Sequence, residues 1–342
     1  MSASLEFPWA TAPAPGTTIE VVPGIHWLTT SLPFRLSSIN LWLLEDGDGW
    51  CMVDCGFPIP EVRDQIEEVW ATVLGGRPIT RLIITHHHPD HVGNAPWICE
   101  RWGIVPTMTP LEFDLGRWML DETWREDADQ SERFHRSHGL PEATLVGQSS
   151  TRAKYGSCFA RLGPDFHRLQ DGDSLNIGGR SWEVIEGLGH SDAQALLHCP
   201  ESGVLISGDQ VLPKISPNVS VYFNAPKAEP LSEFLDSNSR ISARVAETVL
   251  VLPSHKQPFY GLHRRIAELE KHHRERLDGI EAALKDRPQT AFELLEVVFG
   301  AIELDGHQMN FAMGEAVAHL HHLEMQGRVK KSLDAGVWRF VS

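Results

Sequence analysis

The chain has 342 residues, of which 42% are hydrophobic, which is enough for one large domain and a smaller one. It carries 30 Lys and Arg against 46 Asp and Glu, a formal net charge of −16 at pH 7. Such an acidic chain is not expected to bind nucleic acid or an anionic membrane in general, because that binding needs cations to neutralise phosphates.

Cysteine usage favours a reducing compartment. The five cysteines are scattered and odd in number, and none forms a Cys-x-x-Cys pair, so no disulfide framework is expected. Residues 1–15 contain no Lys or Arg and no apolar core segment, unlike a secretory signal. No run approaches the roughly 18 apolar residues of a transmembrane helix. The expected location is therefore the cytoplasm, away from the membrane.

The N-terminal third alternates predicted strands and turns. Residues 19–22, 25–29 and 39–44 are predicted strands, and Asp-Gly-Asp-Gly at positions 46–49 predicts a hairpin leading into a strand over 50–53. A helix is predicted over residues 60–74, where apolar side chains recur at helical spacing. Its predicted apolar side consists of Val62, Ile66, Val69 and Val73.

A cluster of polar groups follows the next strand, which ends at residue 84. The pattern His-x-His-x-Asp-His supplies His86, His88, Asp90 and His91 within six positions. Imidazole nitrogen and carboxylate oxygen are ligands that suit zinc, and also iron or manganese. Four such groups on one short loop cannot all reach a single small cation comfortably. They could serve two neighbouring cations, with two groups each.

Residues 109–168 are predicted to form a helical insertion without a clear strand. Helices are also expected over residues 94–102, after the histidine cluster, and over 230–245, between two later strands. Several aromatic residues of the insertion fit either a plain core or the lining of a substrate pocket, namely Trp118, Trp124, Phe134, Tyr155 and Phe159. The later strands are predicted over residues 173–177, 181–186, 195–199, 204–207 and 248–252, with Gly178-Gly179 as a hairpin turn.

Further candidate ligands stand just after several of these strands. His190, Asp209 and His255 follow later strands, and Asp54 follows an early one. Polar groups beyond the ends of successive strands gather along one edge of a sheet, where α/β proteins place their sites. Taken singly, His190 or His255 is more typical of an ordinary loop residue than of a metal ligand.

The C-terminal part is predicted to be mainly helical. Helices are predicted over residues 263–285, 290–299 and 313–325, and a two-stranded wing over 327–341, which together suggest a small winged-helix-like domain. From residue 262 onward there are 11 Lys and Arg and 13 Asp and Glu, a net charge of −2. DNA binding is therefore not expected. A role in packing or in a homodimer is the hypothesis.

The cluster after residue 84 resembles the signature of the metallo-β-lactamase superfamily, and the order of the other motifs extends the resemblance over residues 19–260. It implies an α/β four-layer αβ/βα sandwich over residues 19–261, with the helical insertion at 109–168. The appendage at residues 262–342 resembles that of one branch of the superfamily, which includes an RNA-cleaving member.

The resemblance also implies a ligand set for two divalent cations, zinc or alternatively iron or manganese. One metal would bind His86, His88 and His190, the other Asp90, His91 and His255, and Asp209 would bridge them. Asp54 would orient a histidine through its free N–H. Secreted β-lactamases of this class commonly use a Cys where Asp209 stands, so β-lactam hydrolysis is not expected.

The pattern looks most like glyoxalase II, acyl homoserine lactonases and related hydrolases. It implies that a metal-bridging hydroxide cleaves an ester, a thioester (acyl-CoA or acyl-glutathione) or a lactone of a small-molecule acyl substrate. Asp90 is a candidate for steering a proton. Tyr222 is a candidate for donating a hydrogen bond to the oxyanion, although an aromatic on a strand explains it slightly better. Two alternatives remain: a phosphodiesterase or RNase, and a non-catalytic ligand-binding protein with a vestigial site.

Overall fold

The computed structural model describes residues 4–118, 128–145, 161–301 and 303–342. The chain divides into two compact units that interleave along the sequence. The first comprises Met1–Leu120, Cys158–Pro217 and Asn238–Ile266, and the second comprises Asp121–Ser157, Asn218–Ser237 and Ala267–Ser342. The second unit thus includes most of the predicted appendage and also two stretches, 121–157 and 218–237, from the predicted catalytic domain.

The first unit contains a seven-stranded sheet whose strands neighbour one another in chain order. The first four strands pair antiparallel through hairpins, and the last four pair parallel. Their bounds are β1 Thr18–Val22, β2 Ile25–Ser31, β3 Ser38–Asp46, β4 Gly49–Val53, β5 Ile79–Ile83, β6 Pro106–Met108 and β7 His167–Arg168. Parallel pairing aligns the carboxyl ends of β4 and β5, so the loops after them lie at the same edge.

A five-stranded sheet completes the β-structure of this unit. Its strands are β8 Ser174–Ile177, β9 Arg180–Gly187, β10 Gln194–Cys199, β11 Val204–Gly208 and β12 Leu250–Pro253. The order across the sheet is β12-β11-β10-β9-β8, with β11 and β12 parallel and the other pairs antiparallel. The carboxyl ends of β9, β11 and β12 carry three of the predicted ligands.

Strand β3 shows why the central strands are apolar without interruption. Leu41 and Leu43 belong to one buried cluster, whereas Trp42 and Leu44 belong to another. Successive side chains of a strand point to opposite faces, so a sheet covered on both faces needs apolar residues throughout. The second cluster contains residues of both sheets, and it is the core between them.

Helices cover the other face of the seven-stranded sheet. They are α1 Pro60–Thr72, α2 Pro89–Val92, α3 Ala95–Trp102 and α4 Pro110–Trp118. Val62, Ile66 and Val69 of α1 are buried in the cluster on that face, as their helical spacing predicts. Val73 was predicted to share this side but is 39% exposed, because α1 ends at Thr72.

The second unit is mainly helical. Its helices are α5 Ala128–Ser137, the first part of α6 Pro230–Arg244, most of α7 Leu262–Leu284, α8 Leu295–Phe299 and α9 Gly306–Met325. The predicted wing is a hairpin, β13 Lys330–Asp334 with β14 Val337–Val341. Helix α8 begins later than predicted, because residues 291–294 form turns. The winged-helix assignment itself stays a prediction.

Helices α4 and α5 lie in the predicted insertion. The prediction that it contains no strand is wrong, because β7 pairs with β6 inside the first sheet. Of its aromatic residues, Phe134 is buried at the ring of His138. Trp124, Tyr155 and Phe159 lie outside the described residues. Within the described part of the chain, no helix combines the length and the apolarity needed to cross a membrane.

Candidate metal centre

All seven predicted ligands lie in the first unit, on loops that follow strand ends. The loop after β5 carries His86, His88, Asp90 and His91, and the short helix α2 begins within it. The remaining three, His190, Asp209 and His255, stand one to three residues beyond the ends of β9, β11 and β12. The sheets therefore bring together residues that are up to 169 positions apart in the sequence.

The first group consists of three imidazoles. His86, His88 and His190 each offer a ligand atom, and these atoms lie within 4.8 Å of one another. The Nε2 of His86 is 2.9 Å from the Nδ1 of His88. Burial, together with the neighbouring imidazoles, lowers the pKa of His86 and of His88 well below 6.5. Both rings are therefore neutral at pH 7, the form that ligates a metal.

The second group combines a carboxylate with two imidazoles, Asp90, His91 and His255. The Oδ2 of Asp90 lies 3.4 Å from the Nε2 of His255 and 3.8 Å from the Nε2 of His91. The other nitrogen of His255, Nδ1, lies 3.0 Å from the carbonyl oxygen of Ser38, where it donates a hydrogen bond that leaves Nε2 facing the site.

Asp209 lies between the two groups. Its Oδ2 is 3.5 Å from the Nε2 of His190 and 3.5 Å from the Nε2 of His255. Its Oδ1 is 3.7 Å from the Nε2 of His91. One carboxylate that reaches a histidine of each group has the position that a bridging ligand requires.

The carboxylates set the electrostatics of the second group. Burial opposes charge on His255, but Asp209 and Asp90 raise its pKa to about 10. Burial likewise opposes charge on Asp209, but His255 and His91 hold its pKa well below 3.8. The carboxylates are thus ionised at pH 7, and a cation that binds here takes the place of protons on the imidazoles.

Two buried atoms test whether a metal fits. The Nε2 of His91 and the Oδ1 of Asp209 make no hydrogen bond within the described residues. A buried polar atom without a partner costs about 1–3 kcal/mol. Since both atoms border the two groups, divalent cations would satisfy them, and nitrogen with carboxylate oxygen is a donor set that zinc, iron and manganese accept. The residues present therefore fit a pair of divalent cations.

Asp54 forms hydrogen bonds with the loop that carries the first four candidate ligands. It is buried, and it accepts hydrogen bonds from the backbone N–H of Thr85 at 2.8 Å and from the Nδ1 of His91 at 2.8 Å. Its φ of 59° lies in the left-handed region, which is costly for a residue other than glycine. Thr85, which was not predicted, donates its hydroxyl to Asp54 at 2.9 Å and lies 3.0 Å from the Nδ1 of His86.

Glu112, in the first turn of α4, is a second residue that the sequence did not reveal. It is fully buried, and its Oε2 lies 2.6 Å from the Nδ1 of His87 and accepts the backbone N–H of His87 at 3.0 Å. Its Oε1 accepts the Ser191 hydroxyl at 2.5 Å and the Ala193 N–H at 2.8 Å. Glu112 therefore joins the loop of His86 to the loop of His190.

The pKa of Glu112 reflects these bonds. Burial raises it, but the His87 imidazole and the hydrogen bonds from His87, Ser191 and Ala193 bring it down to about 2. In the sequence, an acidic residue in the first turn of a helix is the ordinary partner of the helix dipole, so nothing distinguished Glu112 from a surface residue.

Tyr222 belongs to the second unit, where its hydroxyl donates to the Oδ1 of Asn218 at 3.4 Å. Its assignment as an oxyanion donor stays a prediction, as does the proton-steering role of Asp90.

Known proteins resemble this chain in sequence and in fold. Residues 35–255 match the family model of the metallo-beta-lactamase superfamily, and residues 277–342 match the model of the metallo-beta-lactamase-like C-terminal domain. The crystal structure of a beta-lactamase domain protein from Burkholderia ambifaria matches over 98% of each chain, with 41% sequence identity and a TM-score of 0.91.

Several relatives have functional names. The probable metallo-hydrolase YqjP of Bacillus subtilis (strain 168) is 25% identical over 86% of this chain and 90% of its own length. The acyl-coenzyme A thioesterase MBLAC2 of Gallus gallus is 25% identical over 55% of this chain and 63% of its own length. The hydroxyacylglutathione hydrolase of Xylella fastidiosa (strain M23) is 25% identical over 33% of this chain and 25% of its own length.

These findings confirm the predicted fold class and the predicted family resemblance. The match of residues 35–255 contains all seven candidate ligands, and the separate C-terminal model lies within the predicted appendage. The chain belongs to the metallo-β-lactamase superfamily, and it carries the metallo-beta-lactamase-like C-terminal domain.

Proposed function

We propose that the protein is a hydrolase with two divalent metal ions that cleaves a thioester or a related ester bond of a small acyl substrate. The observation that carries the proposal is the position of Asp209 between two groups of three donors, with every predicted ligand present. A vestigial site would be expected to lack at least one of them.

When bound, the cations supply Lewis acidity, which lowers the pKa of water and polarises a carbonyl. The residues of the chain hold this arrangement in place. Asp54 and Thr85 orient the imidazoles of His91 and His86 through their Nδ1 atoms. Asp90 and Asp209 supply the negative charge that offsets the cations.

Thioester cleavage is the preferred assignment because two of the relatives are thioester hydrolases by name, one acting on acyl-coenzyme A and one on hydroxyacylglutathione. The matches cover only part of those proteins, so the acyl group and the thiol carrier belong to the proposal. Lactone cleavage, the other predicted reaction, uses the same attack on an acyl carbon. Zinc is the proposed metal, and a cytoplasmic homodimer is the proposed state.

The test joins metal analysis to a substrate panel. Protein purified without added metal is analysed for zinc, iron and manganese, and is assayed with acyl-CoA thioesters, acyl-glutathione, p-nitrophenyl esters, lactones and bis-p-nitrophenyl phosphate. The proposal expects two cations in the first unit and cleavage of a thioester or ester that chelation abolishes. Cleavage of the phosphodiester alone would instead identify a phosphodiesterase or RNase, and no hydrolysis with both cations bound would contradict the proposal.

Tyr222→Phe tests the predicted oxyanion donor. If the Tyr222 hydroxyl stabilises the oxyanion, turnover falls about 10- to 100-fold with both metals retained, because one hydrogen bond to the developing charge is lost. Steady-state kinetics and metal analysis of the same preparation measure both quantities. Unchanged turnover would remove Tyr222 from the reaction and leave the aromatic interpretation.

A further inference from the structure

The second unit contains a buried group of potential metal donors that lies outside the seven ligands described above. His273 of α7 is fully buried, as is His319 of α9, and Glu315 of α9 is 5% exposed. One donor atom of each residue lies within 4.8 Å of the other two. Glu315 and His319 are four residues apart on α9, which places them on the same face of the helix.

Hydrogen bonding defines where the lone pair of His319 points. The Nδ1 of His319 lies 2.7 Å from the carbonyl oxygen of Glu315, to which it donates. The Nε2 therefore carries the lone pair, and it faces the Nδ1 of His273 at 3.1 Å. A histidine that donates one nitrogen to a carbonyl and presents the other is the usual form of a metal ligand.

The candidate metal centre of the first unit offers a direct comparison within the same molecule. There, the Nε2 of His86 lies 2.9 Å from the Nδ1 of His88, and His255 donates its Nδ1 to a backbone carbonyl. Both features recur in the second unit. The Nε2 of His319 lies 3.1 Å from the Nδ1 of His273, and the Nδ1 of His319 donates to a backbone carbonyl. Two nitrogens bound to one zinc at about 2.0–2.1 Å in a tetrahedral arrangement stand slightly more than 3 Å apart.

The two imidazoles of this group are in the protonation state that a metal ion requires. Burial lowers the pKa of His273 to about 2 and that of His319 to about 3, so both rings are neutral at pH 7. Neutral imidazoles are the form that binds a metal.

Glu315 is held by two neighbours. Its Oε1 forms a close ion pair with Arg276, and its Oε2 accepts the Nδ2 of Asn218 at 3.3 Å. Burial raises the pKa of Glu315, while Arg276 and Asn218 oppose that rise. The bond to Asn218 is at the long end of the range for hydrogen bonds, so Oε2 is the oxygen available to a cation.

The charges predict a weaker site than the two-metal centre. The carboxylate of Glu315 and the guanidinium of Arg276 cancel, and the two imidazoles are neutral, so the protein contributes no net charge. Zinc sites formed by three neutral histidines have the same net charge and bind the metal. In the first unit, Asp90 and Asp209 have no arginine as an ion-pair partner among the described residues, so they attract a cation more strongly. The two-metal centre is therefore expected to bind its ions first.

We propose that His273, Glu315 and His319 form a third metal site, which binds a single zinc-like transition-metal ion and cross-links α7 to α9. Three protein donors leave the fourth tetrahedral position to a water molecule. Without a metal, His273 would simply donate its Nδ1–H to His319, and no cation would bind. The experiment must distinguish a metal ion bound by these residues from a hydrogen bond between His273 and His319.

Cobalt(II) titration of the full chain, freed of metal by chelation, counts the sites. Three equivalents are expected to bind, the third more weakly than the first two. The double variant His273→Gln and His319→Gln is expected to lose the third equivalent and to keep the first two. The matched control is His321→Gln, a buried histidine of the same helix whose Nδ1 donates to the Ala228 carbonyl, and it should keep all three.

Crystals of the unaltered protein grown with excess zinc provide a measurement that does not depend on any variant folding. An anomalous difference peak between His273 and His319 is expected. Saturation at two equivalents with no such peak would overturn the proposal, as would a third equivalent that persists in the double variant. Because the first two equivalents are counted separately, failure here leaves the proposed hydrolase intact.

Discussion

At the level of single side chains, Glu112 decides how firmly two ligand loops are joined. Its two oxygens accept from donors on both sides of the site, the backbone and ring of His87 on one loop and the hydroxyl of Ser191 and backbone of Ala193 on the other. Neither loop has another acidic side chain that is fully buried in this way among the described residues. The metal affinity of the centre should therefore depend on a residue that touches no metal.

Glu112→Gln keeps the shape of the side chain but replaces one acceptor oxygen with an amide that faces donors. We expect zinc affinity to fall about 10- to 100-fold, because partners that orient ligands typically contribute that much. Competition with a chelator measures the affinity. Glu100→Gln, an exposed residue of α3, is the matched control and should leave it unchanged. A variant that unfolds more easily but holds zinc as tightly would show that Glu112 is only a packing residue.

His138 predicts how the second unit responds to acid. Burial lowers its pKa to about 4, assisted by His321, His135 and Lys331 and opposed by the hydrogen bond to the Phe134 carbonyl. The folded chain thus resists a proton that the unfolded chain accepts below pH 6.5. The stability associated with this histidine is complete above pH 6.5 and is lost as the pH falls toward 4.

His138→Gln should therefore make the loss of stability between pH 6.5 and 4 shallower, by on the order of 3 kcal/mol at the acid end. Urea unfolding of the full chain at a series of pH values measures the effect. His167→Gln, at an exposed position of β7, should reproduce the unaltered pH curve. A parallel curve for His138→Gln would mean that the pKa of His138 is the same in the folded and the unfolded chain.

At the level of elements, the turn between β8 and β9 depends on two glycines for different reasons. Gly178 and Gly179 both have positive φ, 61° and 73°. A Cβ on Gly178 would stand 2.4 Å from the carbonyl oxygen of Glu45, whereas a Cβ on Gly179 would meet nothing within 4 Å. The backbone N–H of Gly178 also donates to the Oδ1 of Asp46 at 3.0 Å.

Gly179→Ala should cost about 1–2 kcal/mol of unfolding free energy, the penalty for placing an L-residue in the left-handed region. Gly178→Ala carries the same penalty and a backbone clash, so it should cost roughly 1–3 kcal/mol more. Denaturant unfolding of the two variants, compared side by side, separates the cost of the left-handed backbone from the cost of the clash with Glu45. Equal losses would show that the contact with Glu45 relaxes freely.

Elements with strong local patterns were predictable, and short ones were not. Strands β2, β3 and β4 were expected because apolar runs bounded by turn residues indicate buried strands. Strands β6 and β7 have three and two residues, too few to show any period, and they exist because the edge of the sheet offers them hydrogen bonds.

At the level of the whole molecule, bound metal should contribute directly to stability. A ligand at 100 times its dissociation constant stabilises the folded state by about 2.7 kcal/mol. In a chain of this size, a loss of that free energy corresponds to a melting temperature several degrees lower. Dialysis against a chelator followed by calorimetry should show the decrease, and added zinc should reverse it.

Asp209→Ala provides the control for this experiment, because it removes the carboxylate between the two groups. Its melting temperature should respond little to the chelator, since the centre no longer holds both cations. A chelator effect of the original size in this variant would locate the stabilising metal elsewhere in the chain.

The sequence by itself determined the candidate ligands of the first unit. His86, His88, Asp90 and His91 are adjacent on one loop, and His190, Asp209 and His255 follow strand ends, so local pattern and strand order sufficed to predict a common edge. Only the tertiary structure could identify Glu112, whose partners Ser191 and Ala193 lie 79 and 81 positions away. The same holds for His273 and His319, which stand 46 positions apart on helices whose sequences show only amphipathic spacing. A motif records chemistry that is contiguous in the chain, whereas hydrogen bonds between distant residues exist only once packing has brought the elements together.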